Sequence, residues 1–149
     1  MRILIQRVSE ANVKIDQVEH SRISNGMLIF VGIENEDTEE DINYLCNKII
    51  NLRIFDDEKG VMNESVLQKG NQIMVISQFT LQANTRKGNR PSYIKAAKPD
   101  IAIPIYEKFC SQLELQSGIK IETGEFGADM KVSLINDGPV TIWIDSKEK

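Results

Sequence analysis

Short segments rich in β-branched residues recur along this 149-residue chain, and they restrict its possible folds more than any other feature. Residues 12–18 alternate apolar and polar side chains, as in a half-buried strand, whereas 27–33 form a continuous apolar run typical of a central strand. Asn25-Gly26 before that run is typical of a turn with positive φ. The predicted strands are 2–8, 12–18, 27–33, 72–81, 119–123, 130–136 and 140–145.

Two longer segments have helical spacing instead. Thr38 is a candidate N-cap with Asp41 three positions later, and the apolar residues that follow predict a helix over roughly 38–51. A second amphipathic segment includes Phe109. Because proline inside a helix costs roughly 3 kcal/mol, we expect the regular part of this second helix to begin near Pro104, after a separate turn.

Strands therefore outnumber helices by about seven to two. We predict a single α+β domain, residues 1–149, built of largely antiparallel, barrel-like β-sheets with two main helices. No apolar run approaches the length of a membrane span, and the N-terminus lacks the features of a signal peptide. These observations favour a cytoplasmic protein that does not associate with membranes.

The scarcity of histidine and cysteine argues against the commonest hydrolase and metal chemistries. The chain has one histidine, His20, in a polar, turn-like stretch without zinc-site spacing, where a surface position is expected. Cys46 and Cys110 are 64 positions apart with no CxxC pair, which favours buried free thiols over a disulfide or redox pair. We expect neither a metal nor a cofactor, so an enzyme of this composition must use other means.

Positive charge is concentrated in one segment of an otherwise acidic chain. The net charge is -4, yet residues 83–99 include five basic residues and no acidic one. Such a segment fits either a solvated loop or a surface that binds phosphates, since the local field governs contact. The five residues are Arg86, Lys87, Arg90, Lys95 and Lys98.

Polar residues interrupt the apolar pattern at two places. Ser77-Gln78-Phe79-Thr80 follows an apolar run, and it fits either an exposed strand end or a site whose N–H and hydroxyl groups bind a carbonyl oxygen. The segment 136–141 fits a turn between two strands, and its Gly138–Pro139 bond can be cis or trans.

Two of these segments resemble the signature motifs of the D-aminoacyl-tRNA deacylases, namely SQFTL at 77–81 and NDGPVT at 136–141. The resemblance extends over most of the chain and includes LIQRV at 4–8, KIINLRIF at 48–55, KGNRPSY at 87–93 and GEFGADM at 124–130. The sequence departs from the family pattern at Pro104 and around His20, which affects the expected local structure rather than the expected function.

The resemblance implies an enzyme that hydrolyses the ester of D-aminoacyl-tRNA while rejecting L-aminoacyl-tRNA. It also implies a homodimer in which Gly138 and Pro139 act in the partner's active site, with the bond between them cis. The pocket they complete would be formed by Ser77, Gln78, Phe79 and Thr80. Rigid backbone atoms set against the α-carbon can exclude one enantiomer by steric clash. Glycine has no side chain, so a steric filter of this kind should also let glycyl-tRNA pass.

The resemblance suggests individual roles as well. The N–H groups of Phe79 and Thr80 would bind the ester carbonyl, with the Thr80 hydroxyl donating a hydrogen bond rather than attacking. Ser77 and Gln78 would orient the amino acid and the terminal adenosine. Phe79 fits a stacking role and a core position equally well. Substrate-binding and tRNA-binding residues would be Arg7, which braces the Gly-Pro segment, Asn136, Arg86, Lys87 and Arg90.

Two other functions fit parts of the sequence. One is a non-catalytic dimeric module that binds tRNA or another RNA through the basic segment. The other is a related deacylase with relaxed chirality, which the SQFTL and NDGPVT strings argue against.

Overall fold

A 14-residue strand, β1 (Arg2–Ile15), organises the computed structural model, which describes residues 1–148. The first part of β1 pairs with β3, its last part pairs with β2, and β8 pairs along both parts. The other elements are β2 (Val18–Ile23), β3 (Gly26–Gly32), α1 (Glu39–Asn51), β4 (Phe55–Asp56), β5 (Met62–Glu64), α2 (Val66–Lys69), β6 (Gln72–Ser77), a 3-10 turn (Phe79–Gln82), α3 (Pro99–Ser117), β7 (Ile121–Thr123) and β8 (Met130–Asp145).

The main sheet has the strand order β2-β1-β3-β6-β7, with β8 on the other side of β1. β6 pairs in parallel with β3 and β7, and the other pairs are antiparallel. The sheet curves until β2 approaches β7, where Ser21 Oγ donates a hydrogen bond of 2.7 Å to the carbonyl of Thr123. The predicted α+β class with barrel-like, largely antiparallel sheets and two main helices is confirmed.

Two pairs of predicted strands are in fact single strands. Residues 2–8 and 12–18 were expected to be separate, yet β1 continues to Ile15 and the chain turns at Asp16 and Gln17. Likewise 130–136 and 140–145 form one 16-residue strand, β8. The long β1 pairs with β8 on both sides of residues 137–139, where the register shifts. The Gly-Pro segment is therefore an irregularity within a strand rather than a turn between two strands.

Two local predictions need correction for tertiary reasons. Gly26 does not have positive φ. Glycine is needed there because the backbone of β6 comes close: an added Cβ would lie 2.0 Å from the carbonyl oxygen of Gln72. The strand predicted over 72–81 ends at Ser77, and the chain then enters the 3-10 turn.

The first helix follows the prediction and the second does not. α1 begins after Thr38, whose N–H donates to Asp41 Oδ2 over 2.8 Å, as expected for a capping box. α3 begins at Pro99, five residues before the predicted start, and includes Pro104. Pro99 occupies the first turn, where no N–H is needed, and the buried Ala102 extends the packed face of the helix upstream of Pro104.

The cysteines are free and the histidine is exposed, as predicted, although the burial of Cys110 and the local structure at His20 differ from the prediction. Cys46 is buried, Cys110 is half-buried, and both are free thiols. Burial raises the pKa of each thiol to about 12. His20 is exposed on β2, in a strand rather than a turn. No helix within residues 1–148 combines the length and apolar character that crossing a membrane requires.

A buried ionic network joins the start of β1 to the residues after β8. The Met1 ammonium group donates to Asp37 and to Ser146 Oγ, and the Ser146 hydroxyl donates to Asp41 over 2.7 Å. Lys147 Nζ contacts Asp41 at 2.9 Å. Burial alone would raise the pKa of Asp41, but the hydrogen bonds from Lys147, Ser146 and the N-cap residue outweigh it and hold the pKa well below its usual range.

Candidate active site

The end of β6 brings the first candidate motif to one end of the barrel. Residues 73–76 are buried, and Ser77 and Gln78, which follow, are half-buried. The Gln78 N–H donates to the carbonyl of Val31 over 2.7 Å, and the Leu81 N–H then donates to the carbonyl of Gln78 over 3.1 Å. The motif therefore leaves the sheet through a tight turn that is anchored on β3.

A pocket of about 310 Å³ opens beside this motif. One wall consists of residues 76–79, which include Ser77, Gln78 and Phe79. The opposite wall consists of 126–130 and Val132. Sequence reasoning did not select this second wall, although the GEFGADM string that supplies it was among the family-like segments.

Thr80 lies next to the pocket rather than in its wall. Its Oγ1 accepts a hydrogen bond of 2.5 Å from Gln78 Nε2. Because the oxygen is already an acceptor, the hydroxyl proton remains available for donation. The N–H groups of Phe79 and Thr80 are the first of the 3-10 turn, and such a turn contains no acceptors for its first donors. The turn thus groups two backbone donors and one hydroxyl donor.

Three residues that the sequence analysis did not select, Gly32, Gln82 and Arg2, support this turn on the side away from the pocket. A Cβ added at Gly32 would lie 2.7 Å from Leu81 Cβ and 3.0 Å from the Gln78 carbonyl oxygen. The buried Gln82 donates from Nε2 to the Gly32 carbonyl over 2.9 Å. Arg2 Nη1 donates to the carbonyl of Leu81 over 3.2 Å. No local sequence signal marks these residues, because each acts through a partner far along the chain.

The second motif forms an exposed protrusion on β8. The Gly138–Pro139 bond is cis, as predicted. Arg7 is buried, and its Nε donates to the carbonyl of Asp137 over 2.9 Å while its Nη1 donates to the carbonyl of Ile54 over 2.7 Å. Arg7 therefore connects the residue before Gly138 to the loop that follows α1.

Asn136 braces the same protrusion from within β8. In the amide orientation that satisfies its neighbours, Nδ2 donates to the carbonyls of Arg7 at 3.0 Å and Val140 at 3.2 Å. The bond to Val140 closes the chain across residues 137–139. The protrusion is thus held at both ends while Gly138 and Pro139 remain exposed.

Within one chain the two motifs lie on separate parts of the sheet, because β1 and β3 stand between β8 and β6. In the sheet register, Ser77 pairs with Val31 of β3, and Val31 pairs with Ile3 of β1. Gly138 lies between the β8 residues that face Gln6 and Val8 of β1. A separation of four residues corresponds to roughly 13 Å along a strand. Neither Gly138 nor Pro139 lines the pocket of its own chain.

The basic segment forms an exposed loop beside the pocket. Backbone hydrogen bonds of 2.8 and 3.0 Å between Asn84 and Ser92 close its base, and the side chains of Arg86, Lys87 and Arg90 are exposed. Phe79 is also exposed, which excludes the core position considered for it. Within residues 1–148 no cluster of His, Cys, Asp and Glu side chains is suited to hold a metal ion.

Comparison with known proteins identifies the family. A family model described as D-Tyr-tRNA(Tyr) deacylase matches residues 4–145. The chain belongs to this deacylase family. Relatives named D-aminoacyl-tRNA deacylase from Bacteroides fragilis and Flavobacterium psychrophilum are each 64% identical over 149 residues, covering 100% of this chain and 99% of the relative. The predicted deacylase family and enzyme class are confirmed.

Solved structures also resemble the deacylase fold described above. One, titled "c-Myc DNA Unwinding Element Binding Protein", superimposes with a TM-score of 0.93 at 39% identity, covering 97% of this chain and 98% of that one. Another, from a structural analysis of a probable eukaryotic D-amino acid tRNA deacylase, has a TM-score of 0.82 at 15% identity and covers 96% and 97% of the two chains. The second similarity bears on the fold alone.

Proposed function

We propose that this chain hydrolyses the ester that joins a D-amino acid to the terminal ribose of tRNA and releases free tRNA and the D-amino acid. The observation that carries the proposal is the group of donors at the pocket, namely the N–H groups of Phe79 and Thr80 and the Thr80 hydroxyl. Preorganised donors stabilise the negative charge that develops on a carbonyl oxygen during attack. An ester is reactive enough that charge stabilisation and correct positioning suffice for its hydrolysis without a catalytic triad.

Thr80 acts as a donor and not as the nucleophile. Its oxygen accepts the Gln78 amide proton, which draws electron density away from the atom that would have to attack. A water molecule attacks the carbonyl carbon instead and loses a proton, which the neighbouring ribose hydroxyl relays. The ester C–O bond then breaks and the ribose oxygen takes up the proton. Ser77 and Gln78 in the pocket wall orient the aminoacyl group and the terminal adenosine.

The enzyme works as a homodimer in which each pocket receives Gly138 and Pro139 from the partner subunit. Two observations support this arrangement: the exposed protrusion is braced by Arg7 and Asn136, and it lies outside the pocket of its own chain. Braced backbone atoms beside the α-carbon would clash with the side chain of an L-residue, and each tenfold of discrimination requires about 1.4 kcal/mol. Glycine has no side chain, so glycyl-tRNA passes this filter.

The basic loop supplies the tRNA contact. Arg86, Lys87 and Arg90 are exposed and form no ion pair within residues 1–148, so they are available to bind phosphates. Asn136 shapes the substrate side of the Gly-Pro protrusion. We further propose that residues 1–149 act as one domain, in the cytoplasm, without a metal or cofactor.

The first test compares deacylation of D-Tyr-tRNA, L-Tyr-tRNA and glycyl-tRNA by the purified protein. Rapid loss of the D-ester and of the glycyl ester, with the L-ester spared, is expected. Equal loss of both tyrosyl enantiomers would refute the chiral filter. Thr80→Ala should abolish hydrolysis with little effect on tRNA binding, and Thr80→Ser should retain activity because it keeps the hydroxyl. Binding without hydrolysis by the wild type would instead support the non-catalytic RNA-binding module.

A mixing experiment tests the shared active site. Thr80→Ala and Gly138→Ala subunits are each inactive as homodimers on this proposal. After unfolding and refolding together, half of the dimers are mixed, and each mixed dimer has one site free of both substitutions. We therefore expect recovery of about a quarter of wild-type activity. Mass spectrometry would show whether mixed dimers form. If they form and no activity is recovered, the two motifs do not combine across subunits, and the shared active site is refuted.

A further inference from the structure

An apolar surface continues from the pocket onto the basic loop. Phe79, in the pocket wall, is 57% exposed, and on the loop Tyr93 is 39% exposed and Ile94 89% exposed. The rings of Phe79 and Tyr93 meet edge-on, with centroids 5.1 Å apart and planes inclined by 72°. We call Phe79, Tyr93 and Ile94 the apolar strip. Phe79 lines the pocket, whereas Tyr93 and Ile94 lie outside its lining.

The loop that carries the strip has a defined shape. The Ala96 N–H donates to the carbonyl of Tyr93 over 3.0 Å and closes a turn around Ile94. The Ala97 N–H donates to the carbonyl of Ile33 over 2.9 Å and fastens the end of the loop to the chain after β3. Tyr93 and Ile94 are therefore presented at a fixed position rather than on a freely moving chain.

Basic residues flank Tyr93 and Ile94 along the chain. Lys95 follows Ile94 directly, Arg90 lies three positions before Tyr93, and residues 83–99 contain no acidic side chain. Neither Lys95 nor Arg90 forms an ion pair among the described residues 1–148. The rest of the chain is acidic, so this combination of exposed apolar groups and unpaired cations is local.

Exposed rings flanked by unpaired cations match one class of ligand, single-stranded nucleic acid, whose bases stack on apolar side chains while its phosphates follow positive charge. We propose that the apolar strip binds the unpaired nucleotides immediately upstream of the aminoacylated one, with a base against Tyr93 and Ile94 and its phosphate near Lys95. The inference rests on the proposed function, since it assumes that the aminoacylated nucleotide occupies the pocket. It assigns recognition of the RNA's 3′ end to residues outside the two signature motifs.

The test compares two substrates that differ only in the upstream nucleotides: D-tyrosyl-tRNA and D-tyrosyl-adenosine. The double variant Tyr93→Leu, Ile94→Ser removes the ring and the exposed aliphatic group without adding charge. We expect kcat/KM for the tRNA to fall about 5- to 100-fold, mainly through KM, and kcat/KM for D-tyrosyl-adenosine to stay within about twofold of wild type. Leu115→Ser, which changes an exposed leucine on α3 outside the loop, is the matched control and should alter neither substrate.

Other outcomes overturn the inference. An equal loss on both substrates would show that Tyr93 and Ile94 shape the pocket instead of binding upstream nucleotides. No loss on the tRNA would show that the strip does not contact RNA. If the wild type cleaves neither substrate, the proposed function fails, and the strip is then tested by fluorescence anisotropy with a labelled, uncharged single-stranded oligonucleotide. Wild-type affinity in the double variant would refute it there.

Discussion

Replacing Gly32 by alanine should show how much the deacylation rate depends on the position of the 3-10 turn (Phe79–Gln82). Gly32 ends β3 and lies beneath the turn that carries the N–H groups of Phe79 and Thr80. Its substitution removes none of the groups that act in the proposed mechanism. Any loss of activity must therefore come from movement of the turn.

The size of the movement follows from two distances. The new methyl carbon would lie 2.7 Å from Leu81 Cβ and 3.0 Å from the Gln78 carbonyl oxygen. Non-bonded carbon atoms prefer separations of about 3.5–4.0 Å, so the turn must shift by about 1 Å. A misplacement of this size can reduce catalysis by about 10²-fold, and overpacking typically costs about 1–3 kcal/mol of stability.

The assay is steady-state deacylation of D-Tyr-tRNA, with the free energy of unfolding measured in urea on the same preparations. We expect kcat to fall about 10²-fold while the variant remains folded. Gly60→Ala is the matched control: Gly60 has φ +74° and open space around it, so alanine there strains the backbone without touching the turn. A Gly32→Ala enzyme with wild-type kcat, or a Gly60→Ala enzyme that loses as much kcat, would refute the reasoning.

Three further outcomes follow from the structure. Gly138→Ala should abolish deacylation, with the secondary structure unchanged by circular dichroism, because an added Cβ would lie 2.1 Å from the next-but-one backbone nitrogen; wild-type turnover would contradict this. Because the pKa of Asp41 is lower in the folded protein than in the unfolded chain, where it is roughly 4, its carboxylate stabilises the folded state. This stabilisation is complete above roughly pH 4 and is lost progressively as the pH falls from there toward the folded pKa. Urea unfolding of Asp41→Asn should thus show a deficit at pH 7 that shrinks by pH 3, and a constant deficit would disprove the linkage. Because the pKa of Cys46 and of Cys110 is raised to about 12, iodoacetamide at pH 8 should modify them on the order of 10³-fold more slowly in the native protein than in guanidinium, as mass spectrometry would reveal.

Elements with strong local signals were predictable from the sequence. The capping residues Thr38 and Asp41 marked the start of α1, and the apolar run at 27–33 marked β3 as a central strand. Capping and hydrophobic periodicity act over a few residues, so they can be recognised without knowing the rest of the fold. The two signature motifs likewise indicated the deacylase family before any geometry was known.

Elements that depend on distant partners were predicted incorrectly. The continuity of β8 through Gly138–Pro139 depends on pairing with β1, more than a hundred positions earlier in the chain. The start of α3 at Pro99 depends on packing that outweighs the cost of Pro104. In both cases local propensity favours an interruption, and tertiary contacts override it.

The residue types at the candidate site could be read from the sequence alone, namely the polar groups that follow β6 and the Gly138–Pro139 pair. The placement of these groups depends on the tertiary structure. It seats the 3-10 turn on Gly32, adds a second pocket wall from residues 126–132, and puts Gly138 in the middle of β8, outside that pocket. The physical reason is that these features are distances between chain segments, which depend on how the whole sheet curves and packs, whereas residue type and spacing report only on neighbours along the chain.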